Sequence, residues 1–440
     1  MRSVSILVRT VTTVPHAAVW GPDARRVLEH GGGSLRVLGG PGTGKTTLAA
    51  HTVADRVLHH GVDPERVLVL TASRRAAADL RNRIVERLAA HGVTPTVREP
   101  LVRTVHSYAF AVLRLQASLQ DLPPPRLLSG PEQDVVIREL LAGELETGGR
   151  NWPVRLRPAL GLPAFAAELR DLLLRAAERG LGPEDLIALG RTSGRAEWVA
   201  AGRFFRSYEQ VMLLRGSVGT VAPQATAPAL DAAELVSAAL LVLDTDAEVL
   251  RRESDRVRHL IVDDAQHLDP LQATLVTRLG AGASEFLLLG DPDQTVFSFR
   301  GADPGLLTTD GSAIVRLRTD HRMAPAVRSA VSRLAARLPG PRAELHGPVG
   351  EQPPGKVAVR VFGSAAAEAS WVADQLRRAH LLDGLRWADM AVIVRSTART
   401  LPALRRALLA AGVPVAVPRE ELPVARHGAV LPLLGVLRCA

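Results

Sequence analysis

Cysteine, lysine and aromatic residues are all scarce in this 440-residue chain, and each scarcity removes a class of explanation. A single cysteine, Cys439, excludes an internal disulfide framework and a multi-cysteine zinc site. No apolar run approaches the length that crosses a bilayer, so no membrane partner is expected. Residues 1–13 are apolar but broken by Arg2 and Arg9 and followed by no small-residue cleavage site, so no secretory signal is expected. The lone cysteine and the missing signal both fit the cytoplasm. Aromatics make up 3% of the chain, so a place where they cluster carries weight. Of 54 basic residues only Lys45 and Lys356 are lysines. The net charge of +9 suits a polyanionic partner, but arginine is spread along the chain rather than gathered in a tail. Charge alone therefore leaves nucleic-acid contact and ordinary solvated arginine faces equally open.

One of the two lysines lies in Gly39-Gly40-Pro41-Gly42-Thr43-Gly44-Lys45-Thr46, a complete G-x-x-x-x-G-K-[ST] phosphate-binding loop. An apolar run at 35–38 precedes it as a buried strand, and a helical pattern from Thr47 follows. The glycines let successive backbone N–H groups point into one concavity, where a helix N-terminus adds positive dipole. Lys45 is placed to neutralise the β- and γ-phosphates of ATP, and the Thr46 hydroxyl to help hold Mg²⁺. A second apolar run, Leu260-Ile261-Val262-Asp263-Asp264, ends in two carboxylates. Ligands of a parallel α/β sheet sit beyond the carboxyl ends of its strands, so these acids should face the loop. Asp263 suits Mg²⁺ and Asp264 the attacking water. A third run leads through Asp291-Pro292-Asp293-Gln294 to Phe297-Ser298-Phe299-Arg300, a concentration of aromatics in a chain poor in them. Their alternation reads as a strand presenting rings to nucleobases and Arg300 to phosphate; for Phe297 core packing is an equal reading.

The order of these motifs resembles that of superfamily 1 DNA helicases of the UvrD/PcrA/Rep type. The phosphate loop matches GxPGTGKT, Thr71-Ala72-Ser73-Arg74-Arg75-Ala76-Ala77 looks like TFTNKAA, and Arg103-Thr104-Val105-His106-Ser107-Tyr108-Ala109 is similar to TFHSFA. The segment 262–272 resembles VDEFQDTNPLQ, 290–302 resembles GDDDQSIYSWRGA, and Leu317-Arg318-Thr319-Asp320-His321-Arg322 takes the place of LxxNYR. The resemblance implies an ATP-driven motor on single-stranded DNA, used in repair or recombination, with two RecA-like lobes. It implies a nucleotide cradle of Gly39, Gly40, Pro41, Gly42, Thr43, Gly44, Lys45, Thr46 and Thr47. By the same likeness Gln266 and Gln294 sense the γ-phosphate, Arg322 reaches it from the second lobe, and His321 packs near the base. The implied catalytic set is Lys45, Asp263, Asp264, Gln294 and Arg322. Thr71, Ser73, His106, Phe297, Phe299 and Arg300 would lie along DNA.

This chain departs from the pattern at several places. Asp264 stands for the family's catalytic Glu and His267 for the Asp of its QD pair. Ala72 removes a stacking Phe, and Ala24 stands where an adenine-reading Gln is expected. The family's TVHxAKGLE-like and YVAxTRA-like motifs do not occur after Arg395, so this chain is expected to cover only the first half to two thirds of a family member. The altered acidic motif and the arginine bias look somewhat like the AdnA-type subunit of actinobacterial helicase–nucleases, which would make a helicase–nuclease subunit a partner.

The expected fold is α/β, a P-loop NTPase of two RecA-like parallel-sheet lobes, the second incomplete. Strands are expected at 35–38, 66–71, 259–264, 285–290, 313–317, 356–362, 390–395 and 413–417. The first lobe is assigned to 1–110 and 226–310, a helical insertion to 111–225, a partial second lobe to 311–425, and the start of an accessory helical subdomain to 426–440. Ser129-Gly130-Pro131-Glu132 is a capping box opening one helix of the insertion. A non-catalytic ATP- and DNA-binding subunit is the rival to a motor. A small-molecule phosphotransferase is disfavoured because the DNA-side motifs would then be coincidences.

Overall fold

The computed structural model describes residues 20–93, 101–217, 229–309, 311–339, 345–348, 352–416 and a few positions between 430 and 436. It divides into two units, Met1–Lys356 and Val357–Ala440.

The first unit opens with α1 (Pro22–Leu28), β1 (Gly33–Gly39), α2 (Lys45–Leu58), β2 (Val67–Thr71), α3 (Arg74–Ala90), β3 (Val102–Thr104) and α4 (Val105–Leu119). Then come β4 (Arg126–Leu127), the helices α5 (Gly130–Glu146), α6 (Pro163–Ala177), α7 (Pro183–Thr192) and α8 (Ala196–Ser217), and β5 (Ala229–Leu230). The chain returns through α9 (Ala232–Thr245), α10 (Ala247–Arg256), β6 (His259–Val262), α11 (Pro270–Gly280), β7 (Glu285–Gly290), α12 (Gly305–Thr309), β8 (Ala313–Leu317) and α13 (Pro325–Ala335).

Six strands form one parallel sheet in the order β3-β2-β6-β7-β1-β8. Side chains alternate across a strand, so one strand feeds two cores. Leu68, Leu70, Leu260, Val262, Phe286 and Leu288 enter a cluster with α4, α9 and α11. Val67, Val69, Ile261, Leu287, Leu289, Leu35 and Val37 enter the opposite cluster with α2 and α3. Burial on both faces explains why these strands read as continuous apolar runs. A buried ion cluster ties the start of the sheet to α2. Arg56 donates to both carboxylate oxygens of Glu285 at 2.9 and 2.7 Å, and His259 Nδ1 lies 2.9 Å from the same carboxylate. Arg56 also donates to the Leu28 and His30 carbonyls.

The insertion folds around its own core of Ile137, Leu141, Trp152, Leu169, Leu173 and Phe204. The expected capping box is present: Glu132 N–H donates to Ser129 Oγ at 3.4 Å, and Ser129 N–H to the Glu132 carboxylate at 2.8 Å. The short parallel pair β4–β5 closes the base of the insertion. Helix α4 runs unbroken across the expected boundary at 110/111 and packs on the sheet with α9, because Tyr108, Ala109 and Val112 face the core. The insertion therefore starts after α4.

A second boundary also moves. The strand at 313–317 was assigned to the second lobe, but β8 pairs in parallel with β1 and ends the first sheet. Arg36 on β1 secures this edge, donating to the Leu307 and Ser312 carbonyls at 3.1 and 2.9 Å.

In the second unit α14 (Ala365–Leu381) and α15 (Thr397–Ala410) pack through Ala369, Ala373, Leu404, Leu408 and Val413. The strands expected at 356–362 and 390–395, and the part of 413–417 that is described, join no sheet among the described residues. Their β-type sequence is present, but a strand needs a neighbour to bond, and Val359 and Val361 are 89% and 94% exposed. The expected subdomain at 426–440 lies almost wholly outside the described residues.

Candidate nucleotide and nucleic-acid site

The phosphate loop leaves β1 at Gly39 and enters α2 at Lys45. Thr43 Oγ1 donates to the Gly40 carbonyl at 2.8 Å, which tightens the loop. The Lys45 ammonium is buried and donates to the Gly39 and Gly40 carbonyls. Burial lowers its pKa, while Asp291, Asp264 and Asp263, in that order, pull it back up. The three carboxylates follow β6 and β7, at the same edge of the sheet from which β1 leads into the lysine loop.

Asp263 is almost wholly buried beside the Thr46 hydroxyl, and its Oδ1 has no hydrogen-bond partner. Burial and the neighbouring Asp264 push its carboxyl up to about 6, against the Thr46 hydrogen bond and Lys45. An orphaned carboxylate oxygen next to a hydroxyl is a hard oxygen donor set of the kind Mg²⁺ takes. Asp264 adopts φ +56°, one of two non-glycine residues with positive φ among those described. Such strain collects where a side chain must be aimed. Its Oδ1 accepts from Gln266 Nε2 at 3.2 Å, and Gln266 Oε1 accepts from the Asp291 N–H at 3.1 Å. Gln294 Nε2 donates to Asp291 Oδ2 at 2.7 Å. Asp291 is thereby the junction of both glutamines and the strongest charge partner of Lys45. Sequence reasoning passed over it, although its place directly after an apolar strand was the available signal.

Arg322, expected to arrive from the second lobe, instead follows β8 within the first unit. His321 N–H donates to the Gly42 carbonyl at 2.9 Å, and the Arg322 charge acts on Lys45. The segment is held by Asp320, fully buried, which accepts from the Arg322 and Met323 N–H groups at 2.9 and 3.1 Å and from Arg328 Nε at 2.8 Å. Burial raises the Asp320 carboxyl, but these bonds outweigh it and hold the group below its ordinary value. Gly42 has φ +80°, and a Cβ there would meet Asp320 Oδ1 at 2.0 Å, so glycine is required by both conformation and space. Asp320 is a second residue that sequence reasoning left unassigned. The His321 side chain is exposed. Ala24, which stands where the resemblance expects an adenine-reading Gln, is buried in the core beside α2.

The expected DNA contacts fall into two groups. Thr71 ends β2 with its hydroxyl buried and unpartnered, while Ser73 caps α3 by accepting from the Ala76 N–H at 3.1 Å. His106, in the first turn of α4, is kept toward neutrality by burial and by Arg74. The second group follows β7. Residues 298–300 form a single 3₁₀ turn rather than the expected strand, because Arg300 N–H closes on the Phe297 carbonyl at 2.7 Å. The turn still presents both rings: their centroids are 6.3 Å apart, and the Arg300 guanidinium lies 5.6 and 5.4 Å from them. Phe299 is 70% exposed, whereas Phe297 packs on His267 at 4.7 Å. β2 and β7 flank β6 in the parallel sheet, so both groups follow the same, carboxyl edge of the sheet.

Residues 20–313 match the UvrD/REP helicase N-terminal domain. The chain is 27% identical to the ATP-dependent DNA helicase UvrD2 of Mycobacterium tuberculosis over 396 residues, which are 87% of this chain and 52% of the relative. It is 24% identical to the UvrD1 helicase of the same organism over 413 residues, 90% of this chain and 49% of that one. The ATP-dependent DNA helicase SRS2 of Saccharomyces cerevisiae matches at 24% over 283 residues, 61% of this chain and 22% of the relative. The chain thus spans about half the length of the bacterial relatives it matches. No helix among the described residues is long and apolar enough to cross a membrane. The domain match covers the stretch from α1 to the start of β8, with both the lysine loop and the acids gathered around it, and on that ground the chain belongs to the UvrD/REP helicase family.

Proposed function

We propose that this chain is the ATP-hydrolysing, DNA-binding part of a UvrD-type motor that moves on single-stranded DNA in repair or recombination in the cytoplasm. The observation that carries the reading is that the charges of Asp263 and Asp264 after β6 and of Asp291 after β7 act on Lys45, with the aromatic turn of Phe297, Phe299 and Arg300 following Asp291 after β7. In this reading Lys45 and the N–H groups of the loop receive the ATP phosphates. Thr46 and Asp263 hold Mg²⁺, which neutralises phosphate charge. Asp264 orients the attacking water and takes its proton, Gln266 and Gln294 report the γ-phosphate, and Arg322 sits on it. Phe299 and Phe297 stack bases and Arg300 meets phosphate. A helicase–nuclease partner subunit is part of the same reading.

The short carboxylate of Asp264 favours one alternative, a subunit that binds ATP and DNA and regulates a partner motor. Phosphate release with and without oligo-dT decides between them. The motor reading expects single-stranded DNA to stimulate release from the wild-type chain and Lys45→Ala to abolish it. ATP and DNA binding without turnover, also in a form carrying any continuation of the chain, would establish the regulatory subunit instead.

A further inference from the structure

The end of α6 in the insertion sets the half-buried Arg175 and the buried Glu178 against the aromatic turn. Glu178 is 7% exposed, and its Oε1 lies 2.7 Å from Arg175 Nη2. The other carboxylate oxygen has no hydrogen-bond partner, and neither do Arg175 Nε and Nη1. A partly buried pair with spare donors and acceptors is a poor source of stability, since an apolar pair of similar volume serves as well or better. Its surroundings point to a different role. Glu178 Oε2 lies against Gly301, the residue that ends the turn carrying Phe297, Phe299 and Arg300. Gly301 has φ +87°, and a Cβ there would meet Oε2 at 2.2 Å and Arg175 Nη1 at 3.0 Å. The Glu178 backbone carbonyl accepts from the Leu271 N–H at 3.0 Å at the start of α11, beside Asp269, whose charge acts on both Glu178 and Arg175. The Leu268 carbonyl in turn accepts from the Asp303 N–H at 2.8 Å, which closes the path from the acidic loop to the turn.

We propose that Arg175 and Glu178 are positioning residues through which the helical insertion fixes the aromatic turn, so that the insertion sets the affinity of this chain for single-stranded DNA. The inference rests on the reading that the turn stacks bases, and it adds that the turn is aimed from outside its own lobe. Gly301 is glycine because the carboxylate occupies the space of a side chain. The pair fixes the angle of Phe299 relative to the acidic loop, and neither residue touches DNA.

The test is equilibrium binding of fluorescent oligo-dT, read well below each variant's melting temperature, with Phe299→Ala as reference. Glu178→Ala and Gly301→Ala are each expected to weaken binding about tenfold. Glu178→Gln, which keeps the shape and the bond to Arg175, stays near wild type. The double variant E178A/G301A binds within about twofold of Gly301→Ala, since both changes break one contact. If Glu178→Ala melts below the assay temperature, Arg175→Gln takes its place with the same expected loss. Unaltered binding by these variants, while Phe299→Ala binds weakly, overturns the positioning role, as do losses in the double variant that simply multiply. If the wild type and Phe299→Ala bind alike, the stacking reading falls, and this inference with it.

Discussion

Asp264 concentrates what single residues contribute here. Its left-handed backbone turns a short carboxylate toward the lysine loop, and Gln266 holds it there at 3.2 Å. Asp264→Asn keeps the size and the hydrogen bond to Gln266 but cannot accept a proton. DNA-stimulated turnover is therefore expected to fall about 10²–10⁴-fold with little change in nucleotide affinity, measured by phosphate release beside a nucleotide-binding titration. Lys45 and Thr46 stand out in the sequence through the fixed spacing of the phosphate loop, and Asp263 and Asp264 because they directly follow an apolar strand. The roles of Asp291 and Asp320 do not stand out, because they lie in which backbone N–H groups and side chains these residues hold, and spacing does not encode that.

At the scale of elements, the turn after β7 shows how local closure overrides alternation. Phe297-Ser298-Phe299 has a strand's period, yet the bond from Arg300 N–H to the Phe297 carbonyl curls it into a 3₁₀ turn. The rings then lie edge to face under one guanidinium, and the more exposed is Phe299. Phe299→Ala is expected to weaken binding of single-stranded DNA by ~1–3 kcal/mol, the contribution of one stacked base, with the melting temperature unchanged. A lowered melting temperature at constant affinity would return Phe299 to the core. The strand from Glu285 to Gly290 fell where its apolar run placed it, since burial on both faces leaves a continuous signal. The segments at 356–362 and 390–395 carry the same kind of signal without pairing, because a ladder depends on a neighbour that sequence alone does not supply.

The whole first unit is a balance of buried charge. Burial pushes the Glu285 carboxyl up, but bonds from His259 and Arg56 and the Arg56 charge prevail and hold it at about 2. A group held below its unfolded value adds stability above that value, and this stability fades as pH falls from about 4.5 toward 2. Glu178 and Glu234 behave oppositely: burial raises them to about 8 and about 7. The folded state therefore binds protons that the unfolded chain does not in the window between ~4.5 and 8, and acidification through it stabilises. Without nucleotide or Mg²⁺, denaturant midpoints are expected to peak near about pH 5 and fall on both sides. Arg56→Ala strands Glu285 in the core and should cost ~3–5 kcal/mol at pH 7, read from the same denaturation curves. The parallel α/β architecture was legible at this scale from alternating strands and helices. The place of β8 was not: its apolar pattern suits any sheet, and only pairing with β1 assigns it to this one.

That pairing has a consequence for synthesis. β1, which carries the phosphate loop, bonds only to β7 and β8, and both lie in the later part of the chain. At ~5–20 residues per second, a ribosome takes ~14–55 s to cross the 276 residues separating Arg36 from its partner Ser312. Until β7 is made both edges of β1 lack a strand partner, and the edge that takes β8 stays open for the rest of that interval. The strand that carries the phosphate loop is thus among the first made and the last paired.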